Sequence, residues 1–235
     1  MKSAIIVGCG PSLDTSLIPS YHEAADWVVT VNRGFRAWDD YPNLDPCQLY
    51  LCDGPNAFKD CLNELIAYAQ RTPLFVPKPT VPDKIPYKER WEKLGAKTVH
   101  DLKLSRDKTI EKNPFQKGAI AQPIKSLLFA WQILVRAGFD SIGIAGVDLR
   151  CDPKQRYFHD WPELTPGQQG TQCRSYGVQK ECFRHWIPYA EDLGVKTFNL
   201  GPETSGLAKV METLTLGQFV RSNSVVDNYR EDENT

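Results

Sequence analysis

The sequence predicts a single Rossmann-like α/β domain built on a mostly parallel sheet. Three observations lead there. Short β-branched runs such as Ala4-Ile-Ile-Val7 recur, too brief for helices and apolar throughout, as strands covered on both faces must be. Segments with apolar residues three and four apart alternate with them. Several runs stop at a small or polar residue, at Gly8–Ser12, Asn32, Asp53 and Asp148. An open parallel sheet collects such residues at its carboxyl edge, where ligands bind.

Taken in order, Ala4 to Val7 is the first strand, broken by Gly8-Cys9-Gly10-Pro11-Ser12. Trp27 to Val31 is the second, ending at Asn32-Arg33-Gly34, and Gln48 to Cys52 the third, ending at Asp53-Gly54-Pro55. Phe58, Cys61, Leu62, Leu65, Ile66 and Ala69 mark a helix within 57–71, and Leu74 to Val76 a short strand. From Pro77 to Lys117 the prolines at 77, 79, 82, 86 and 114 and an excess of Lys and Arg read as an insertion or lid. One small helix is expected there, near Tyr87 to Leu94. Ile124, Leu127, Leu128, Trp131, Leu134 and Val135 predict a long helix that reaches Ala137 and stops at Gly138. Ser141 to Ala145 is the next strand, followed by Gly146-Val147-Asp148. A polar loop spans 150–174, a helix about 175–193, and a last strand Val195 to Asn199. The domain is placed at 1–217, with 218–235 as a polar, partly disordered tail.

A chain of 235 residues buries a full core without staples. Its net charge of -1, from 28 basic and 29 acidic residues, argues against nonspecific nucleic-acid binding, while leaving a modified base open as an acceptor. No apolar run approaches the roughly 18 residues of a spanning helix, and the amino terminus enters a strand directly. Neither a signal peptide nor a membrane span is expected, and the location expected is cytoplasmic. The odd count of seven cysteines fits reduced thiols. The oligomeric state stays open, a homo-oligomer included.

The turn after the first strand carries the strongest chemical signal. Glycines there let backbone N–H groups approach a phosphate with no Cβ in the way. Leu13 breaks the dinucleotide fingerprint, and no Gly-Lys-Ser/Thr follows as in a P-loop. Pro11 stiffens the turn, and the Ser12 hydroxyl either bonds a phosphate oxygen or caps the next helical turn. The plain alternative is a tight strand-to-helix connection with no ligand. Asn32 either pairs with a base or ribose or tolerates a left-handed turn. Asp53 and Asp148 each follow a buried strand, where a carboxylate coordinates Mg²⁺, receives ribose hydroxyls, or caps a helix. His159, with Asp160 beside it, is the candidate general base, against a plain surface histidine. Arg174, Arg184 and Lys125 either neutralise phosphate or are solvated charges. Cys182 and His185 share a helix face, but their surroundings match no familiar zinc pattern, and no metal site is assigned.

The opening block, Ile-Ile-Val-Gly-Cys-Gly-Pro-Ser-Leu13, resembles that of the bacterial CMP-sialic-acid-dependent sialyltransferases that build lipooligosaccharide, which reads Ile-Ile-Ala-Gly-Asn-Gly-Pro-Ser-Leu. The Gly-x-Gly-Pro-Ser-Leu signature is shared with the flagellin-modifying motility-associated proteins and the archaeal 6-hydroxymethylpterin pyrophosphokinases. The likeness continues at Thr30-Val31-Asn32, Tyr50-Leu-Cys-Asp53, Gln122 to Ser126 and Ala137 to Asp148. It implies a sialyltransferase-like fold, a GT-A-like variant. Gly8, Cys9, Gly10, Pro11, Ser12, Asn32, Asp53 and Ser126 would surround a nucleotide, with Asp148 at the active-site edge. Cys9 stands where the sialyltransferases have asparagine, and 174–178 lacks the family's histidine. His159, from the preceding loop, is the candidate to stand in for it, and Asp148 and Arg174 are the other expected catalytic residues. The expected function is glycosyl transfer from a nucleotide-sugar donor, CMP- or UDP-linked, to a small-molecule or glycan acceptor. The alternatives are an Mg-dependent pyrophosphokinase, with the metal on Asp53 and Asp148, and a non-catalytic nucleotide-binding protein.

Overall fold

The computed structural model describes residues 1–78, 86–105, 107, 109–115, 118–122, 125–151 and 165–224. Its strands are β1 (Ser3–Val7), β2 (Trp27–Val31), β3 (Gln48–Tyr50), β4 (Leu74–Pro77), β5 (Val99–Leu102), β6 (Ser141–Ala145), β7 (Lys196–Asn199) and β8 (Glu212–Thr213). Its helices are α1 (Ile18–Ala24), α2 (Leu62–Ala69), α3 (Tyr87–Lys93), α4 (Ser126–Arg136), α5 (Pro166–Glu191) and α6 (Leu216–Ser224).

Successive strand residues point to opposite faces, so a strand apolar at every position must be covered on both. In β1, Ala4 and Ile6 enter one core and Ile5 and Val7 the other, all fully buried. α4 and α5 cover the first face through Leu128, Trp131, Phe183 and Trp186. Ile18, Tyr21, Leu65, Trp91 and Phe219, from α1, α2, α3 and α6, cover the second. Every pairing is parallel, in the order β5-β4-β3-β2-β1-β6-β7-β8. The fold is α/β and Rossmann-like. Among the described residues, no helix is long and apolar enough to cross a membrane.

Several expectations are corrected. The segment read as an insertion or lid supplies the expected small helix, α3, and a further strand, β5, which pairs with β4. Trp91 of α3 is fully buried, so this stretch is built into the sheet and its cover. The 57–71 helix divides into a 3-10 turn, Pro55–Phe58, and α2, because the backbone of Cys61 leaves the helical region. α5 starts at Pro166, nine residues before the expected 175, on a capping box. Thr165 accepts from the Gln168 N–H, and the Gln168 side chain accepts from the Thr165 N–H. β8 follows the strand taken as last. Residues 218–224 of the expected tail lie in α6, anchored by the buried Phe219. Cys151 and Cys173 form a disulfide, with Cα atoms 5.2 Å apart, so the expectation of reduced thiols fails at this pair. Cys9, Cys47, Cys52, Cys61 and Cys182 are free.

Candidate functional site

Strand order reverses between β1 and β6. Chain connections leave in opposite directions at such a switch point and open a crevice beyond the carboxyl ends of the strands. A cleft of about 740 Å³ lies there, within the roughly 300–1,000 Å³ of small-molecule sites. Gly8 to Ser12, Asn32, Asp53, Ser126 and Asp148 all line it, so the strand-edge residues singled out in the sequence do come together.

The glycine turn is built differently from a phosphate cradle. Gly8 N–H donates to Ala145 O at 2.8 Å and Gly10 N–H to Gly146 O at 2.6 Å. Leu13 N–H donates to Gly10 O at 3.1 Å, and Ser12 N–H to Asp148 Oδ2 at 3.1 Å. Four amides are thereby committed to the protein, and the anion against the turn is the carboxylate of Asp148. The glycines are needed for close approach instead. A Cβ on Gly8 would stand 2.5 Å from Gly146 O, and one on Gly10 would meet the Asp148 carboxylate and lie 2.8 Å from Gly146 O. The Ser12 hydroxyl is buried with no hydrogen-bond partner among the described residues, an orphan that a polar ligand atom would satisfy. The Cys9 thiol is pushed up to about 12 by burial, against the pull of Arg33. It is a neutral thiol near pH 7 and no nucleophile.

Asp148 is held by its neighbours. Leu149 adopts φ 45, rare for a bulky residue, and the Gly206 N–H donates to Asp148 O. Asn32 is likewise left-handed, at φ 52. Ser126 Oγ donates to Asn32 Oδ1 at 2.6 Å while accepting from Cys52 N–H at 3.0 Å. Ser126, 4% exposed, is thus a positioning residue. It fixes the Asn32 amide and leaves the Nδ2 hydrogens unpartnered among the described residues. Asp53 lines the cleft from the end of β3. Three inter-strand steps separate β3 from β6, about 14 Å in all. That spacing argues against one Mg²⁺ shared by Asp53 and Asp148, since its ligands lie near 2 Å.

Arg174 is exposed, donates to Thr171 Oγ1 at 3.3 Å, and is not on the lining. The structure therefore does not bring it to the cleft. Arg184 pairs with Glu181 on the surface. Cys182 is fully buried in the core beneath α5. His159 lies outside the described residues.

Parts of the cleft escaped the sequence reading, Pro202 and Thr204 among them. Arg150 is another, and the largest is the wall formed by the first half of α5, from Gln168 to Gln179. The capping box at Thr165–Gln168 was the signal that would have placed that wall. No protein-family model, no curated protein and no solved structure matches this chain.

Proposed function

We propose that the protein is a glycosyltransferase-like enzyme that holds a nucleotide-activated sugar, CMP- or UDP-linked, in the cleft at the carboxyl edge of the sheet. The observation that carries this reading is the cleft at the switch point, with its amide fixed by Ser126. An oriented Asn32 Nδ2 suits the acceptor edge of a base or a ribose oxygen. The resemblance of the opening block to the sialyltransferases supports the same assignment.

Charge separates this reading from the pyrophosphokinase. Among the described residues, the cleft carries Lys125 and Arg150 against Asp53 and Asp148, which balance. A donor with one or two phosphates suits such a lining better than a triphosphate, which needs a metal to offset its charge. The strand spacing between the two aspartates makes that metal hard to hold. Lys125 precedes the first turn of α4, whose free amides add positive potential, so the donor phosphate belongs on that side, away from Asp148.

In the transfer step the acceptor oxygen bonds to the anomeric carbon. The bond from that carbon to the phosphate oxygen breaks, and the nucleotide leaves with the electron pair. The hydroxyl proton passes to a base. Asp148 is the candidate within the described residues, because one carboxylate oxygen remains beside the one that holds the Ser12 N–H. His159 is the second candidate.

The test is release of nucleotide from a panel of CMP- and UDP-sugars with mixed acceptors, for the wild type and Asp148→Asn. Loss of about 10²-fold in turnover, with nucleotide affinity kept within a few-fold, is expected of a base. Stabilisation by ATP with Mg²⁺ and by no sugar nucleotide would transfer the assignment to the pyrophosphokinase.

A further inference from the structure

We infer that the α5 wall of the cleft is a subsite for an uncharged saccharide, an inference that rests on the glycosyl-transfer reading and specifies its substrate class. Gln168, Gln172 and Tyr176 form one row along the helix, and Thr171, Ser175 and Gln179 the next, each at a spacing that stacks residues on one face. All six line the cleft and none is charged. The charged lining residues Lys125, Arg150, Asp53 and Asp148 lie on other elements. The charges of α5 itself, Arg174, Lys180, Glu181, Arg184 and Glu191, are off the lining.

Such a wall is costly unless something uses it. A 26-residue helix packed on a sheet would ordinarily carry an apolar stripe along its length. α5 carries a fully buried one in its second half, through Cys182, Phe183, Trp186 and Ile187, while Tyr176 and Val178 before it pack against the same core only partly buried. In the first half the inward positions are amides and hydroxyls, graded from exposed Gln168 to Gln179, which is 6% exposed. Their hydrogen bonds set them in place. Gln172 Nε2 donates to the Tyr176 hydroxyl at 2.5 Å, and Gln179 Nε2 to Ser175 O at 3.3 Å and Oγ at 3.4 Å. The two amide oxygens accept no hydrogen bond among the described residues. Acceptors fixed in this way, beside hydroxyls that donate or accept, match the dense neutral hydroxyls of a sugar ring. A carboxylate-bearing sugar would meet these same oxygens, since the neighbouring cation, Arg174, is exposed and off the lining, and desolvating the carboxylate there would cost affinity.

The experiment uses the whole chain and saturation-transfer NMR with lactose, cellobiose and maltose, beside 3′-sialyllactose as the charged counterpart. CMP and UDP are titrated in parallel. A neutral disaccharide should bind, and the sialylated one no more tightly. Gln179→Leu and Gln172→Leu should each weaken the saccharide about fivefold for each hydrogen bond lost. Nucleotide affinity should stay within twofold, and Glu181→Gln should change neither. Gln172 is half-buried, so its leucine variant keeps the test open if Gln179→Leu melts early. Tighter binding of sialyllactose, equal losses for saccharide and nucleotide, or no effect of either variant would overturn the inference. Saccharide binding that depends on these residues in a protein that binds no nucleotide would uphold the wall and refute the nucleotide reading. Nucleotide binding with no disaccharide binding would do the reverse.

Discussion

Gly10 and Asp148 should be energetically coupled, because the carboxylate occupies the space that a Cβ on Gly10 would need. Gly10→Ala places a methyl against that carboxylate and 2.8 Å from Gly146 O, with a backbone atom that cannot swing away. Overpacking of this kind costs about 1–3 kcal/mol. It also pushes on the Gly10 N–H bond to Gly146 O, only 2.6 Å long. Asp148→Ala removes the charge-assisted bond from Ser12 N–H, worth about 1.5–3 kcal/mol. In the double variant the methyl enters space the carboxylate has left, and only the clash with Gly146 O remains. Urea denaturation of the four proteins should therefore show a double variant less destabilised than the sum of the singles, by about 1–2 kcal/mol. Additivity within about 0.5 kcal/mol would mean that the carboxylate does not sit on the turn, and would refute the reasoning.

Three further outcomes follow from the same geometry. The Cys151–Cys173 bridge closes a sequence separation of 22 residues, so Cys173→Ser should cost about 3 kcal/mol on the chain-entropy account. Dithiothreitol should bring the wild-type denaturation midpoint to that of the variant, and an unchanged midpoint would count against the bridge. Burial holds the His22 imidazole below its ordinary value of 6.5, against the pull of Asp45, and its Nε2 accepts from Trp38 Nε1 at 3.0 Å. The unfolded chain takes up this proton at higher pH than the folded one. The contribution is therefore complete above about pH 6.5 and is lost as pH falls through the lower folded value. Urea midpoints measured across that range should fall with acidification, and His22→Gln should flatten the slope. Alkylation of Cys9 by iodoacetamide near pH 7 should be slow in the folded protein, since burial keeps the thiol protonated. Rapid labelling would contradict that placement.

The legible parts of this fold are those where burial on both faces leaves a run with no charged position. β1, β2 and β6 read directly for that reason, and the end of each pointed to the cleft. β5 was missed because Val99 alone is well buried there, while His100 and Asp101 sit on an edge strand. β8 is two residues long and carries no pattern. The first half of α5 escaped because its inward face meets a cleft rather than a core, so apolar spacing was absent where the helix begins. At the site, residue identities were visible but their partners were not. Gly8, Gly10 and Asp148 all stand where strands end, yet only the approach of β1 to β6 makes the aspartate the anion of the glycine turn. Ser126 looked like a ligand contact, and its hydroxyl is committed to Asn32 and Cys52.

Binding of nucleotide at the fixed Asn32 amide is the claim on which the functional account depends. Isothermal titration of CMP and of UDP without divalent metal, into the wild type and Asn32→Ala, tests it most directly. The account predicts saturable binding of at least one of them. Asn32→Ala should weaken it about fivefold for each bond lost, measured below a lowered melting temperature, because alanine is strained at φ 52 and the buried Ser126 hydroxyl loses its acceptor. Absence of binding by either nucleotide, or equal affinity in the variant, would contradict it.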